Sequence, residues 1–447
     1  MKNILKYILT YIIVVIILFG TLVLTSKIPR EKIYNNLKVN AEYYRDLDGI
    51  ENRRKSYKMI HYYADSMLFN IMNCIDTNKP AESIMEARYY KERTYDSNGD
   101  FVDMMDKNLE SNEQYIRYWH GSLSILRPLT VFFNVNQIYT IMKVTFWILV
   151  AILLLIIFKK YKMLAIVLVI AASILNFSTI PTCFEYMWTV LIAIIVSIIS
   201  LLIEKKGNKG LYLLYFITGI ITCYFDFLST ETLTILMPII LTLLIRYKEN
   251  RVQTFKEGFK FIFISGSLWL LAYAMMWLTK WVLASIILKI NAFVYVKDNA
   301  LLRLNMSNGM VGRVKIKNIL LQNVSKIWPL RLLGNKNKTW IVLFASLVVS
   351  LLIITIIKLG VFLKNKELKY KRDNTKIRLL LLIIAVIPYV RYIVMGNHSY
   401  YHSFFTYRAQ LPSIIAIIFI IIYTIKKDVE KIKEKWKREQ CLFCIDI

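Results

Sequence analysis

About ten stretches of this 447-residue chain are long and apolar enough to be read as bilayer crossings: 4–25, 138–158, 163–180, 184–203, 211–228, 231–246, 261–288, 339–357, 379–394 and 411–425. A helix needs roughly 20 apolar residues to cross a hydrocarbon core about 30 Å thick, and within one segment it satisfies its own backbone N–H and C=O groups. The pattern predicts an all-α polytopic membrane fold. Composition agrees: 57% of the residues are hydrophobic and the mean hydropathy is +0.47, which excludes an ordinary soluble protein of this size. Several stretches fall short of twenty residues, and the last two fit a tilted or re-entrant path as well as a straight one. Segment 4–25 starts basic but lacks a small-residue cleavage pattern, so it reads as a retained first helix.

Lysine and arginine set the expected orientation. With the N-terminus in the cytoplasm, the loops Lys159–Lys162, Lys205–Lys209, Arg246–Lys260, Lys358–Arg378 and Lys426–Arg438 all fall inside, and together they carry 26 basic residues. Cytoplasmic loops are enriched in this way. Ten crossings bring the C-terminus back to the same side. The expectation is a multi-pass protein of the cell membrane with both termini cytoplasmic. The net charge of +28 then follows from topology, with the lipid bilayer and not a nucleic acid as the partner it implies.

The chain divides accordingly. Residues 1–25 form the first transmembrane helix and 26–137 an outer, mostly helical loop domain. Residues 138–288 hold helices 2–7, 289–338 a basic amphipathic outer loop, 339–425 helices 8–10, and 426–447 a basic cytoplasmic tail. The 26–137 loop balances 16 basic against 16 acidic residues, as a folded, water-facing domain does. Within it, Ile60–Ile75 has apolar residues at helical spacing. Residues 94–114 read as irregular, with a turn at Asp96–Asp100. From Tyr115 the chain turns aromatic and basic (YIRYWHGSLSILRPLTVFFN), which suits an interfacial anchor and a binding surface equally. The 289–338 segment sets ten basic residues against the single acid Asp298, so either the crossing count is off by one or the loop handles an anion. Its stretch Lys315–Ile327 fits a helix lying in the headgroup plane.

Cysteine and cofactor signals are weak. Cys74 is the lone thiol of the outer loop, which leaves no disulfide framework there, and Cys441 with Cys444 supply too few ligands for zinc. No glycine-rich phosphate loop occurs, so no nucleotide cofactor is expected, with a divalent metal as the open alternative.

Ionisable groups near hydrocarbon are costly and are usually kept for function. All four histidines, His61, His120, His398 and His402, fall on the expected outer side, as do Glu185, Asp226 and Glu231 at outer helix ends. Among the outer-loop acids, Asp65 stands inside an apolar run, while Asp46 and Asp48 lie in a charged stretch shortly after the first crossing. A partly buried carboxylate is the usual group for taking a proton from a hydroxyl, which makes these three the candidate bases. His398 and His402 sit four apart on one helical face, but Ser399 follows His398 where a metalloprotease helix carries Glu. Trp119, His120 and Lys280 offer aromatic faces and a cation near the same side, with an interfacial anchor and a snorkelling lysine as the plainer accounts. Arg127, Arg303, Arg313 and Arg408 are the candidate phosphate contacts.

Five local patterns now stand together: YADSMLFNI at 63–71, RYWHG at 117–121 with RPL at 127–129, YFDFLSTETLT at 224–234, SLWLLAYAMMWLTKW at 267–281, and NHSYYHSFFTYR at 397–408. With the large loop after the first helix, they resemble GT-C type membrane glycosyltransferases, and uncharacterised bacterial membrane proteins of cell-surface polysaccharide loci. The resemblance implies a polyprenyl-phosphate-linked sugar donor and transfer to a cell-envelope glycan or lipid acceptor at the outer face. By position it implies Asp65 as the base, with Asp46 or Asp48 in its stead. The chain departs from the pattern in lacking a paired-acid motif directly after the first helix. A polysaccharide polymerase or ligase is the nearest rival, though such enzymes place their large loop late. A transporter, or an accessory protein of polysaccharide export, is the non-catalytic rival; a transporter would show internal repeats and polar residues at the membrane midplane.

Overall fold

The computed structural model describes residues 2–47, 62–94, 96–306, 313–327, 330 and 374–424. Among them the protein is all α, with no strand and one isolated bridge between Tyr89 and Glu113. Six helices are long and apolar enough to cross a membrane: Ile4–Ser26, Val135–Lys160, Phe184–Lys206, Phe255–Leu288, Thr375–Val394 and Ser403–Thr424. Three further expected crossings are shorter. The 163–180 stretch is a 13-residue helix, Lys162–Ile174, followed by a 3-10 turn at Phe177–Thr182 that contains Pro181. The 211–228 and 231–246 stretches become the hairpin helices Asn208–Phe225 and Leu233–Lys248. The expected crossing at 339–357 and the tail beyond Thr424 lie outside the described residues.

Burial sorts these helices by position. Nearly every residue of Leu233–Arg246 is buried, including Thr234, Pro238 and Thr242, so this short helix forms the centre of the bundle. A helix that is apolar all round has no solvent face to present. By contrast Ile4, Ile12, Ile16 and Leu24 on the first helix are largely exposed, as lipid-facing positions are. Helix starts are locally encoded. Asn134 and Gln137 form a reciprocal capping box ahead of Val135–Lys160, and Thr254 with Glu257 form another ahead of Phe255–Leu288. The Asn208–Phe225 helix approaches Phe255–Leu288 closely at Gly219, where an added Cβ would meet Ala272 and the backbone N of Tyr273 at 3.0 Å.

The 26–137 domain consists of the helices Arg30–Arg45, Tyr63–Asn73, Pro80–Glu86, Ser97–Lys107 and Leu123–Phe132 around Tyr44, Phe69 and Phe101. One expectation is corrected here. Residues 94–114 are not irregular throughout: Asp96 accepts the Gly99 N–H and caps the helix Ser97–Lys107, which ends on Asn108 in the left-handed region. The aspartate read as a turn signal is a helix start. The helix expected in 315–327 forms as Ile316–Val324, and it buries Ile319 and Asn323 against the Gly396–Tyr401 segment while Ile316 stays exposed.

The two ends of the bundle differ chemically. At the end away from the 26–137 domain, Glu204 is buried and takes Lys160 at 3.1 Å, Arg246 at 3.5 Å and Arg251. The domain end carries the groups described next.

Candidate functional site

A cavity of about 810 Å³ opens at the domain end, between the 26–137 domain, the helix Ala292–Arg303 and the 396–404 segment. A smaller space of about 70 Å³ shares Tyr63, Met67, Tyr115, Glu185, Arg303, His398 and His402 with it and extends to His120. Cations on the larger wall are Lys91, Arg117 and Arg303; its acids are Glu113 and Glu185. Tyr63, Tyr89, Tyr115, Tyr295 and Tyr401 supply aromatic faces.

Glu185 reaches the cavity because of where its helix begins. It occupies the first turn of Phe184–Ile203, and the backbone N–H groups of Phe184 and Glu185 both donate to the Asp65 carboxylate, at 2.8 and 3.2 Å. Tyr139 donates its hydroxyl to the same carboxylate at 2.7 Å, and its oxygen lies 2.9 Å from the Tyr44 hydroxyl. Asp65 is fully buried and lines neither space. Burial pushes its carboxyl up to about 7, against the three donors that favour the charged form. It caps the helix from outside, across more than a hundred residues of chain. The other two candidate bases are further removed: Asp46 is exposed at the end of Arg30–Arg45, and Asp48 lies outside the described residues.

The arginines at the cavity are oriented by phenols. Arg303 donates from Nη2 to the Tyr118 hydroxyl at 2.9 Å. Arg117 stacks over Tyr115, 4.1 Å from the ring centroid, and donates to Asn299 Oδ1 at 3.1 Å. Among the described residues neither arginine has an acidic partner, so both keep charge available to a ligand.

His398 and His402 come together as expected, with ring centroids 4.5 Å apart, and both line the two spaces. Behind His398 lies a buried ion pair: Arg391 donates from Nε and Nη2 to the two Glu231 oxygens at 2.6 and 3.1 Å. Asp226 closes the hairpin beside it, accepting the backbone N–H and the hydroxyl of Ser229, both at 2.8 Å. Glu231 and Asp226 therefore stand behind the cavity wall and not on it.

The remaining candidates hold the framework together. Trp119 is buried and donates its indole N–H to the Met276 carbonyl at 3.0 Å. His120 is buried with Nε2 3.1 Å from the Tyr115 carbonyl and lines only the smaller space; burial pushes its imidazole down to about 3. Arg127 donates to the carbonyls of Met72 and Ile28. Lys280 donates to the carbonyls of Met85 and Ile84 at 2.9 and 3.3 Å. Arg408 donates to Thr179 Oγ1 at 2.7 Å between the rings of Tyr186 and Tyr407. None of Trp119, Arg127, Lys280 and Arg408 lines the cavity.

Sequence reading missed Arg117, Lys91 and Asn397 as wall residues and Arg391 as the partner of Glu231. Arg117 stood inside the RYWHG motif, and the aromatic-basic run around it was already a candidate surface. Arg391 had no signal beyond a cation near the end of an apolar helix. Among the described residues no group of three His, Cys, Asp or Glu side chains is placed to hold a metal ion. Searches against protein-family models, curated proteins and solved structures found no match to the chain.

Proposed function

We propose that this protein is a GT-C-like membrane glycosyltransferase of about ten crossings that moves a sugar from a polyprenyl-phosphate-linked donor to a cell-envelope acceptor. The observation that carries the reading is the composition of one cavity wall: a helix-start carboxylate, Glu185, lining the same space as Arg117 and Arg303, which among the described residues have no acidic partner, among tyrosine faces. The lysine and arginine distribution supports placing this end of the bundle outward.

The chemistry assigns each group a task. Glu185 accepts the proton of an acceptor hydroxyl as its oxygen bonds to the anomeric carbon of the sugar. The bond from that carbon to the phosphate oxygen breaks, and the electron pair leaves with the lipid phosphate. Arg303 and Arg117 face the charge that grows on the departing oxygen. Tyrosine faces suit the apolar side of a sugar ring. A separate apolar space of about 330 Å³, walled by Phe146, Trp147, Leu153, Ala172 and Ile194, has the lining that a hydrocarbon chain needs. In this reading Glu185 takes the base role first given to Asp65, and Asp65 positions it.

The test is glycan analysis of cell envelopes from cells with the gene, without it, and with Glu185→Gln. The expected result is a sugar decoration lost on deletion, restored by the wild-type gene and not by the variant. Unchanged glycans on deletion refute the reading. Restoration by Glu185→Gln instead points to a binding or accessory protein.

A further inference from the structure

The buried ion pair behind the cavity bears on which nitrogen of His398 carries its proton. Arg391 spends its N–H groups on Glu231, on the Ser399 hydroxyl at 2.9 Å and on the Leu228 carbonyl at 2.8 Å, and its Nη2 also lies 3.5 Å from His398 Nδ1. A guanidinium has only donors and keeps its charge in any protein. Both Nη2 hydrogens are taken by Leu228 and Glu231, so at 3.5 Å it is the fixed positive charge of the guanidinium that favours the Nδ1 lone pair facing Arg391 and the proton on Nε2. His398 is 4% exposed, and its one polar edge not turned to Arg391 is the Nε2 edge of a ring that lines both spaces.

We propose that His398 serves the bound ligand as a neutral hydrogen-bond donor through Nε2–H, with Glu231 and Arg391 as the positioning pair that sets this tautomer. The proposal rests on the cavity being the ligand site, and it gives His398 the opposite role to a base: it meets a ligand oxygen, such as one on a phosphate or sugar. The surroundings agree from every side. Arg391 faces Nδ1, the His402 ring lies tilted against the imidazole with centroids 4.5 Å apart, and Arg303 lies on the shared wall. Glu231 is already engaged by Arg391, Asp226 by Ser229, and Glu185 lines the same space. Burial first, then His402 and the two arginines, hold the imidazole well below its ordinary range.

The experiment has two arms. In the full-length protein, ¹⁵N-histidine spectra are recorded from about pH 8 to about pH 5.5, with His398→Gln assigning one of four histidines by difference. The expected result is a neutral His398 with its proton on Nε2 throughout. A proton on Nδ1, or titration inside that range, overturns the proposal. In cells, His398→Gln keeps an amide N–H near the Nε2 position, whereas His398→Asn offers one only near Nδ1. The glutamine variant is expected to retain the glycan product, and the asparagine variant to lose it by about 100-fold. Equal loss in both overturns the donor role. If deletion of the gene leaves glycans unchanged, the transfer reading fails, and the tautomer spectrum alone then decides this proposal.

Discussion

The Glu185 backbone N–H donates to Asp65 Oδ1 at 3.2 Å, so the helix start that carries the cavity-wall carboxylate is held by a second, buried carboxyl that does not line the cavity. The pair joins the 26–137 domain to the start of the Phe184–Ile203 helix. An anion at a helix N-terminus satisfies otherwise orphaned N–H groups and meets the positive end of the helix dipole. Here the anion comes from a distant segment, so the start of the Glu185 helix is held by the 26–137 domain.

Asp65 gives the protein a signed pH dependence. Its folded carboxyl is raised to about 7 from the ordinary 3.8. Between those values the folded state keeps a proton that the unfolded state has lost, so stability falls as pH rises from about 4 to about 7 and is level above. The amount by which the wild-type unfolding midpoint in detergent exceeds that of Asp65→Asn should be smaller at about pH 8 than at about pH 5, because the buried histidines His120 and His398 contribute equally to both proteins. A difference between wild type and Asp65→Asn that stays level or grows over the same interval contradicts the assignment.

Lys280 pins the domain to the bundle through the carbonyls of Ile84 and Met85 at the end of the Pro80–Glu86 helix. Replacing it with methionine keeps the length and removes the donors. Buried carbonyls left without a donor cost about 1–3 kcal/mol. Lys280→Met should unfold at lower temperature and be cut by protease within 79–90 sooner than wild type. Equal cleavage rates would show that the pin contributes nothing.

Glu204 predicts a stability effect that is separable from function. Removing its charge leaves Arg246 beside no buried partner carboxylate; breaking such a pair costs about 3–5 kcal/mol. Lys160 and Arg251 are 23% and 31% exposed, so solvent recovers part of this and the lower figure applies. Glu204→Gln should lower the unfolding midpoint while its folded fraction still restores the glycan phenotype. Loss of the phenotype at full expression would tie this end of the bundle to the chemistry.

Gly219→Ala tests packing against propensity. Alanine is favoured over glycine within a helix by about 1 kcal/mol. The added methyl, however, meets the Trp269 carbonyl, with Ala272 Cβ and Tyr273 N at 3.0 Å, and overpacking costs about 1–3 kcal/mol. Because the nearest obstacle is backbone, destabilisation is the expected sign. An unfolding midpoint at or above wild type would show that the two helices can part.

Site residues divide by how local their causes are. The histidine pair was legible because four residues along a helix return to the same face, and the 4.5 Å ring separation follows from that spacing. Asp65 was legible as unusual, since an acid in an apolar run needs partners, but those partners are Phe184, Glu185 and Tyr139, far along the chain. Lys280, Arg127 and Arg408 all looked like phosphate or sugar contacts by type. Each instead donates to a carbonyl or hydroxyl of a neighbouring segment.

Hydropathy and charge are properties of single segments, and so the apolar helices and the loop domain after the first of them could be derived from the chain alone. Tertiary packing decided which ionisable groups meet a cavity. A buried cation or acid must find a partner wherever the fold brings one. For Asp65 and Lys280 the partner is backbone, for Glu231 it is Arg391, and Glu185 and Arg303 line the cavity wall.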